Sequence, residues 1–224
     1  MKILALKGDG IGPEIVDCTI KVLNKISKKF KFNLDIIYSD IGFLALKKNK
    51  TTFPNLILKL CKEVDGIILG PVDHNNYPPE SEGGLNPSGL LRTKLNLFSN
   101  IRPAKSFKGT KCILDKIDLV IVRENTEGFY ADRNMFSGNG EIEIEEGTGI
   151  SIRKITKQAS EKIAKRGFEI AKQMNKNKKI NVHAIHKANV LRLTDGIFLK
   201  ACRKISKHYP EIEYHEMLVD AATA

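Results

Sequence analysis

Arginines 92, 102 and 123 are the residues of this chain best suited to grip a polyanion. A guanidinium binds a carboxylate through two parallel N–H bonds, a geometry that lysine cannot imitate. Arg92 and Arg102 flank one expected helix-to-strand junction, and Arg123 closes the apolar run Leu119-Val120-Ile121-Val122. Three such forks at chain turns suit a di- or tricarboxylate, although each taken singly also suits a surface ion pair. Past Arg123 the polar run Glu124-Asn125-Thr126-Glu127 leads to Tyr130, whose phenol can donate a proton or anchor a turn. Lys187 follows another short apolar segment. A lysine serves as a general base where burial or neighbouring positive charge favours its amine form. Asp220 follows the last such segment, where a carboxylate can ligate a hard divalent cation or simply cap a helix. His183 and His186 are three apart, a poor metal-binding interval on a strand, and read as structural. Gly8-Asp9-Gly10-Ile11-Gly12 suggests a dinucleotide turn, but Pro13 stands where the third glycine of that fingerprint belongs. The segment therefore reads as a tight turn whose glycines take positive φ.

Composition narrows the class of protein that uses these groups. The 224 residues are 42% hydrophobic, enough for a proper core, and carry a formal net charge of +11. That balance suits nucleic acid, anionic lipid or acidic small molecules. The absence of tryptophan, of aromatic stacking patterns and of a helix-turn-helix signal argues against nucleic acid. Most lysines are scattered and read as a solvated surface. No apolar run approaches the ~20 residues of a membrane span. The apolar stretch before Lys7 is shorter than the ~7–15 residues of a signal peptide. A soluble, cytoplasmic protein is expected. Cysteines 18, 61, 112 and 202 show no paired spacing and are expected as free thiols.

The elements that must position these residues follow from periodicity. Short apolar strands are expected at 2–7, 34–38 and 65–70, separated by helices at 13–26, 42–48 and 54–62. Such alternation implies a mainly parallel sheet with helices on its faces. A long loop rich in Pro, Gly, Asn and Ser runs from Pro71 to Gly89, and a helix carrying Arg92 follows it. An extended segment is expected around Arg102 and a buried strand at 118–124. A β-hairpin arm is expected from Phe129 to Ile152, turning at 137–140. An amphipathic helix at 156–174, a strand at 180–185, a helix at 190–207 and a strand at 212–218 complete the series. The crevice beyond the carboxyl ends of parallel strands is where open α/β sheets bind ligands, which favours the polar run from Arg123 to Tyr130.

Five segments in order resemble the β-decarboxylating dehydrogenases, the family of isocitrate, 3-isopropylmalate and tartrate/D-malate dehydrogenases. They are GDGIGPEI at 8–15, GLLRTKLNLFSNIRPAKSF at 89–107, VRENTEGFYAD at 122–132, HAIHKANVLRLTDGIFL at 183–199 and VDAATA at 219–224. The resemblance implies an α/β fold like that of isopropylmalate dehydrogenase. An open-sheet domain, incomplete here, spans residues 1–101, and a second α/β domain with a β-hairpin dimer arm spans 102–224. It implies oxidative decarboxylation of a 2-hydroxy dicarboxylic acid with NAD or NADP and Mg²⁺ or Mn²⁺. By position, Arg92, Arg102 and Arg123 match carboxylate-binding arginines, and Tyr130 and Lys187 match the catalytic tyrosine and lysine. Asp220 matches a metal-binding aspartate, while Asn189 and Ser88 line the same region. The implied partner is a second copy of the chain, with Lys187 and Asp220 serving the neighbouring subunit's site.

Two features depart from that pattern. The chain stops just as a helix begins, where family members continue for on the order of 100 residues. Further metal-binding aspartates and cofactor loops are not among the 224 residues, so the chain alone is expected to be inactive. A catalytically dead paralogue serving as a dimerisation or regulatory subunit is the alternative. The segment Asn86-Pro87-Ser88-Gly89 offers little apolar surface, which favours a small or polar substituent on the malate core over a branched apolar one.

Overall fold

Ile3-Leu4-Ala5-Leu6 alternates between two helix-covered faces, and the strand it forms is the centre of the first unit. A computed structural model describes residues 1–111, 116–129, 140–174 and 180–224. It divides into two compact units, Met1–Leu95 and Asn96–Ala224. The first holds a parallel sheet of β1 (Lys2–Leu6), β2 (Asp35–Ser39) and β3 (Gly66–Leu69) in the order β2-β1-β3. Leu4 and Leu6 are fully buried on one face. They pack with Ile41, Phe53, Ile57 and Leu91, contributed by the segments around α2 (Gly42–Asn49), α3 (Leu56–Cys61) and α4 (Pro87–Lys94). Ala5 faces the other way, onto Val16 and Ile20 of α1 (Gly12–Phe30). Pro13 opens α1, where a missing N–H costs nothing.

The turn before α1 confirms that its glycines serve the chain's own backbone. Gly8 and Gly10 take positive φ. A Cβ on Gly8 would lie 2.1 Å from the carbonyl oxygen of Pro71, and one on Gly12 the same distance from that of Lys7. These close approaches are already filled by protein, so the turn does not fit a pyrophosphate cradle.

In the second unit β4 (Ser99–Lys105) pairs antiparallel with β5 (Asp118–Glu124), and β6 (Glu141–Glu145) with β7 (Thr148–Ser151). A parallel pair follows, β8 (Asn181–His186) with β9 (Glu213–Leu218). The described pairing is thus parallel in the first unit, as its alternation of strands and helices implied, and mixed in the second. The break between the two units falls before β4 because β4 pairs with β5. Helices α5 (Lys157–Met174) and α6 (Thr194–Ser206) pack on each other and on β8, and α5 also covers β5. Their core joins Ala164, Ala184, Leu199 and Cys202, and a second cluster joins Phe168, Ala171 and Ile212. The ring of Phe168 stacks on Tyr209 at 5.2 Å. A short helix α7 (Val219–Thr223) follows β9 directly.

Three local expectations change. Strand β5 exists as read, but Leu119 and Ile121 are exposed, because helix α5 covers only one of its faces. Helix α6 begins at Thr194 rather than Val190, since Lys187 to Leu193 form a turn. The described hairpin of the arm turns at Glu146-Gly147, with Gly147 at φ 77. Of the anticipated turn at 137–140, residues 137–139 lie outside the described residues.

Candidate active site at the strand ends

Strands β8 and β9 run parallel and in register, with His186 opposite Leu218. Their carboxyl ends therefore deliver the next residues, Lys187 and Asp220, to one place. The Lys187 ammonium donates to Asp220 Oδ2, forming an ion pair at the edge of the unit. The bond from Lys187 holds the Asp220 carboxyl below the usual carboxylate range. Asn189 sits exposed in the turn that follows Lys187.

Arg102 and Arg123 come together on another sheet. Register pairs Asn100 with Arg123 and Arg102 with Ile121. In an antiparallel pair this puts both arginines on one face as diagonal neighbours, roughly 7–8 Å apart at Cα. That face is the exposed one, shared with Leu119 and Ile121. Arg102 Nε donates to Asn100 Oδ1 at 3.1 Å. Arg92 and Ser88 belong to the first unit, on α4, whose amino end is capped by Asn86 Oδ1 accepting from Gly89 N at 3.0 Å. Tyr130 lies outside the described residues.

The polar run after Arg123 is largely occupied with holding the chain. Glu124 accepts from the N–H groups of Thr126 and Glu127 and from the Thr126 hydroxyl at 2.6 Å. Glu127 accepts from Thr156 N at 2.8 Å and Thr156 Oγ1 at 2.6 Å, and Thr156 in turn accepts from Ala159 N at the start of α5. Asn125 is buried, with its side-chain N–H on the Leu97 carbonyl at 3.2 Å.

Several polar anchors escaped the sequence reading. Asp9 is buried and accepts from Phe43 N at 2.8 Å, from Asp73 N at 3.1 Å and from the Tyr77 hydroxyl, so it ties the long loop to the first turn. Burial, and then the bond to Asp9, push the Tyr77 phenol well up. In the second unit the buried Asp195 pairs with the half-buried Arg153 beside Lys187. Asp195 stands in the first turn of a helix, where an acidic residue reads as an ordinary end-group, so nothing in its spacing sets it apart. His183 and His215 stack at 4.8 Å across β8 and β9, in keeping with the structural reading.

The donor set bears on the metal expectation. A hard divalent cation takes six or more oxygens, and Asp220 supplies one carboxylate. Among the described residues no group of three or more His, Cys, Asp or Glu side chains could hold a metal. The described residues of one chain therefore do not by themselves fit a resident divalent ion.

Open α/β sheets bind ligands beyond the carboxyl ends of their strands, so the end of β8 and β9 where Lys187 and Asp220 meet is the candidate site. Residues 2–224 match the family model for isocitrate/isopropylmalate dehydrogenase, and the chain belongs to that family. It is 36% identical over 221 residues to a 3-isopropylmalate dehydrogenase of Archaeoglobus fulgidus, covering 99% of this chain and 61% of the relative. It is 36% identical over 232 residues to a homoisocitrate dehydrogenase of Methanocaldococcus jannaschii, with the same coverage. Among solved structures it is similar to an isocitrate dehydrogenase from Methylococcus capsulatus, with a TM-score of 0.80 and 35% identity. That match covers 99% of this chain and 61% of the other. The chain thus spans about three-fifths of the length of the curated relatives it matches. No described helix is long and apolar enough to cross a membrane.

Proposed function

We propose that this chain carries the carboxylate-binding and proton-handling residues of an NAD(P)-dependent dehydrogenase that oxidatively decarboxylates a 2-hydroxy dicarboxylic acid. The observation that carries this reading is the meeting of Lys187 and Asp220 beyond the ends of β8 and β9. Arg102 and Arg123 share a face from which two forks can take one carboxylate or two. Lys187 as an amine takes the C2 hydroxyl proton, and as an ammonium returns it to the carbon that carbon dioxide leaves. Asp220 holds the ammonium in place between these events, and Tyr130 is the second proton donor. A bound nicotinamide would accept the hydride, and a divalent cation, which needs more oxygens than one chain's described residues supply, would add Lewis acidity; the chain's own contribution is orientation and proton transfer. The names of relatives at the same identity divide between isopropylmalate and homoisocitrate. The small first turn of α4, with Ser88 and Gly89, favours a substrate with a small or polar substituent.

The experiment is turnover of isocitrate, homoisocitrate, 3-isopropylmalate and malate with NAD⁺ or NADP⁺ and Mg²⁺. The chain is assayed alone and mixed with a polypeptide matching the remaining two-fifths of a relative. Reduced cofactor should form with one of these acids, and Lys187→Met should lower kcat about 10²–10⁴-fold. Failure of every acid in both formats, with calorimetry showing no binding, would overturn the proposal.

A further inference from the structure

We infer that Asp195, locked by Arg153, is a positioning residue that fixes the direction in which Lys187 leaves the end of β8. Asp195 is buried, with 4% of its surface exposed. Its two oxygens are divided between two tasks. Oδ1 accepts from Arg153 Nη1 at 2.5 Å, and Oδ2 accepts from the backbone N–H of Lys187 at 2.5 Å. Arg153 Nη1 also reaches Thr194 Oγ1 at 3.0 Å, so the guanidinium spans both residues that open α6. The other side of the Lys187 peptide is held as well. Its carbonyl accepts from Val190 N at 3.0 Å and Leu191 N at 2.8 Å, and Asp195 N returns a bond to the Leu191 carbonyl at 3.0 Å. The next amide, Ala188 N, donates to His186 Nδ1 at 3.0 Å. Lys187 is therefore clamped through both of its backbone polar groups, and its side chain is the part left to project towards Asp220.

The chemistry favours an ionic clamp over a neutral one. A carboxylate accepting a peptide N–H makes a stronger, shorter bond than an amide carbonyl does. A carboxylate buried this deeply persists in charged form only beside a cation, which Arg153 supplies. Asp195 touches neither Asp220 nor the Lys187 ammonium in any contact found among the described residues, so it acts through backbone geometry.

The inference rests on reading Lys187 and Asp220 as a working pair, and the test separates the two. In the full chain labelled with ¹⁵N-lysine, an ammonium-selective spectrum should show a slowly exchanging Lys187 signal that Asp220→Asn removes. Asp195→Asn should also abolish that signal and raise Lys187 amide hydrogen exchange at least about tenfold, while far-UV circular dichroism stays unchanged. If Asp195→Asn does not fold, Arg153→Lys decides the matter. Its shorter, single-ended amine should weaken the Lys187 signal in the same sense. A Lys187 signal unmoved in the folded variant would overturn the inference, as would a wild-type spectrum lacking the Asp220-dependent signal. Added Mn²⁺ tests the underlying reading separately. If it broadens Lys187 while the Asp195 variant leaves the ammonium signal intact, the pair stands and the clamp falls.

Discussion

At the scale of single residues, position relative to a strand end counts for more than residue type. Lys187 and Asp220 are 33 apart in sequence and meet because two parallel strands end together. The ion pair should respond to acid in a defined direction. Asp220 is held below the usual carboxylate range by Lys187, so the pair is intact above that range and is lost as pH falls through the lowered value. The Lys187 ammonium signal should therefore survive to pH 4 and fade below it; fading at pH 6 would contradict the assignment. Cysteine reactivity gives a second prediction. Burial, reinforced by Glu216, pushes the Cys202 thiol up to about 12, whereas Cys18 is exposed. Alkylation at pH 8 followed by peptide mapping should modify Cys18 within minutes and Cys202 only after denaturation. The places of Arg123, Lys187 and Asp220 at or just past strand ends were legible from the apolar runs before them. Asp9, Arg153 and Asp195 were not. Their importance comes from partners more than 30 residues away, and an isolated acidic residue near a helix start looks the same with or without such a partner.

At the scale of elements, long amphipathic periodicity was the most readable signal. Helix α5 appears within a residue of its expected bounds because its apolar stripe, Ile163, Phe168 and Ala171 among it, is long enough to be unambiguous. Strand β5 was legible as a strand but not in its burial, because Leu-Val-Ile-Val looks the same whether one face is covered or two. The hairpin turn at Glu146-Gly147, where Gly147 takes positive φ, is one the sequence reading did not include. Packing around α5 gives a stability prediction. Phe168 is almost fully buried and stacks on Tyr209, so Phe168→Ala should cost about 3–5 kcal/mol in urea unfolding. A cost under 1 kcal/mol would show that the α5–β9 core is not as described. From α6, Arg203 grips Glu216 of β9 with two bonds of 2.7 Å. That grip, aided by the Tyr214 hydroxyl, holds Glu216 below the usual value of 4.5. Stability from this pair is present above pH 4.5 and lost as pH falls through the lowered value. Because the pair is partly exposed, Arg203→Gln should cost only ~0.5–1 kcal/mol at pH 7 and flatten the acid limb of a stability–pH curve.

At the scale of the whole molecule, the family and the order of elements were legible, while the assembly has to be tested. The arm strands β6 and β7 place Ile142 opposite Ile150, both exposed on a two-stranded ribbon that buries neither. Such a ribbon is marginal alone, and a second copy pairing across a two-fold axis would cover it. Sedimentation should therefore show a dimer, and Ile142→Lys with Ile150→Lys should yield a monomer of unchanged helix content; a monomeric wild type would contradict the dimer. The account as a whole turns on whether Lys187 and Asp220 face substrate. Its most direct test is a crystal soaked with Mn²⁺ and a 2-hydroxy dicarboxylate, with data collected at the manganese edge. The account predicts the hydroxy acid beside a Lys187 with its carboxylates on arginine forks, and manganese at Asp220 only where substrate oxygens complete the shell that one chain lacks. A hydroxy acid bound elsewhere, with Lys187 and Asp220 still paired only to each other, would contradict it.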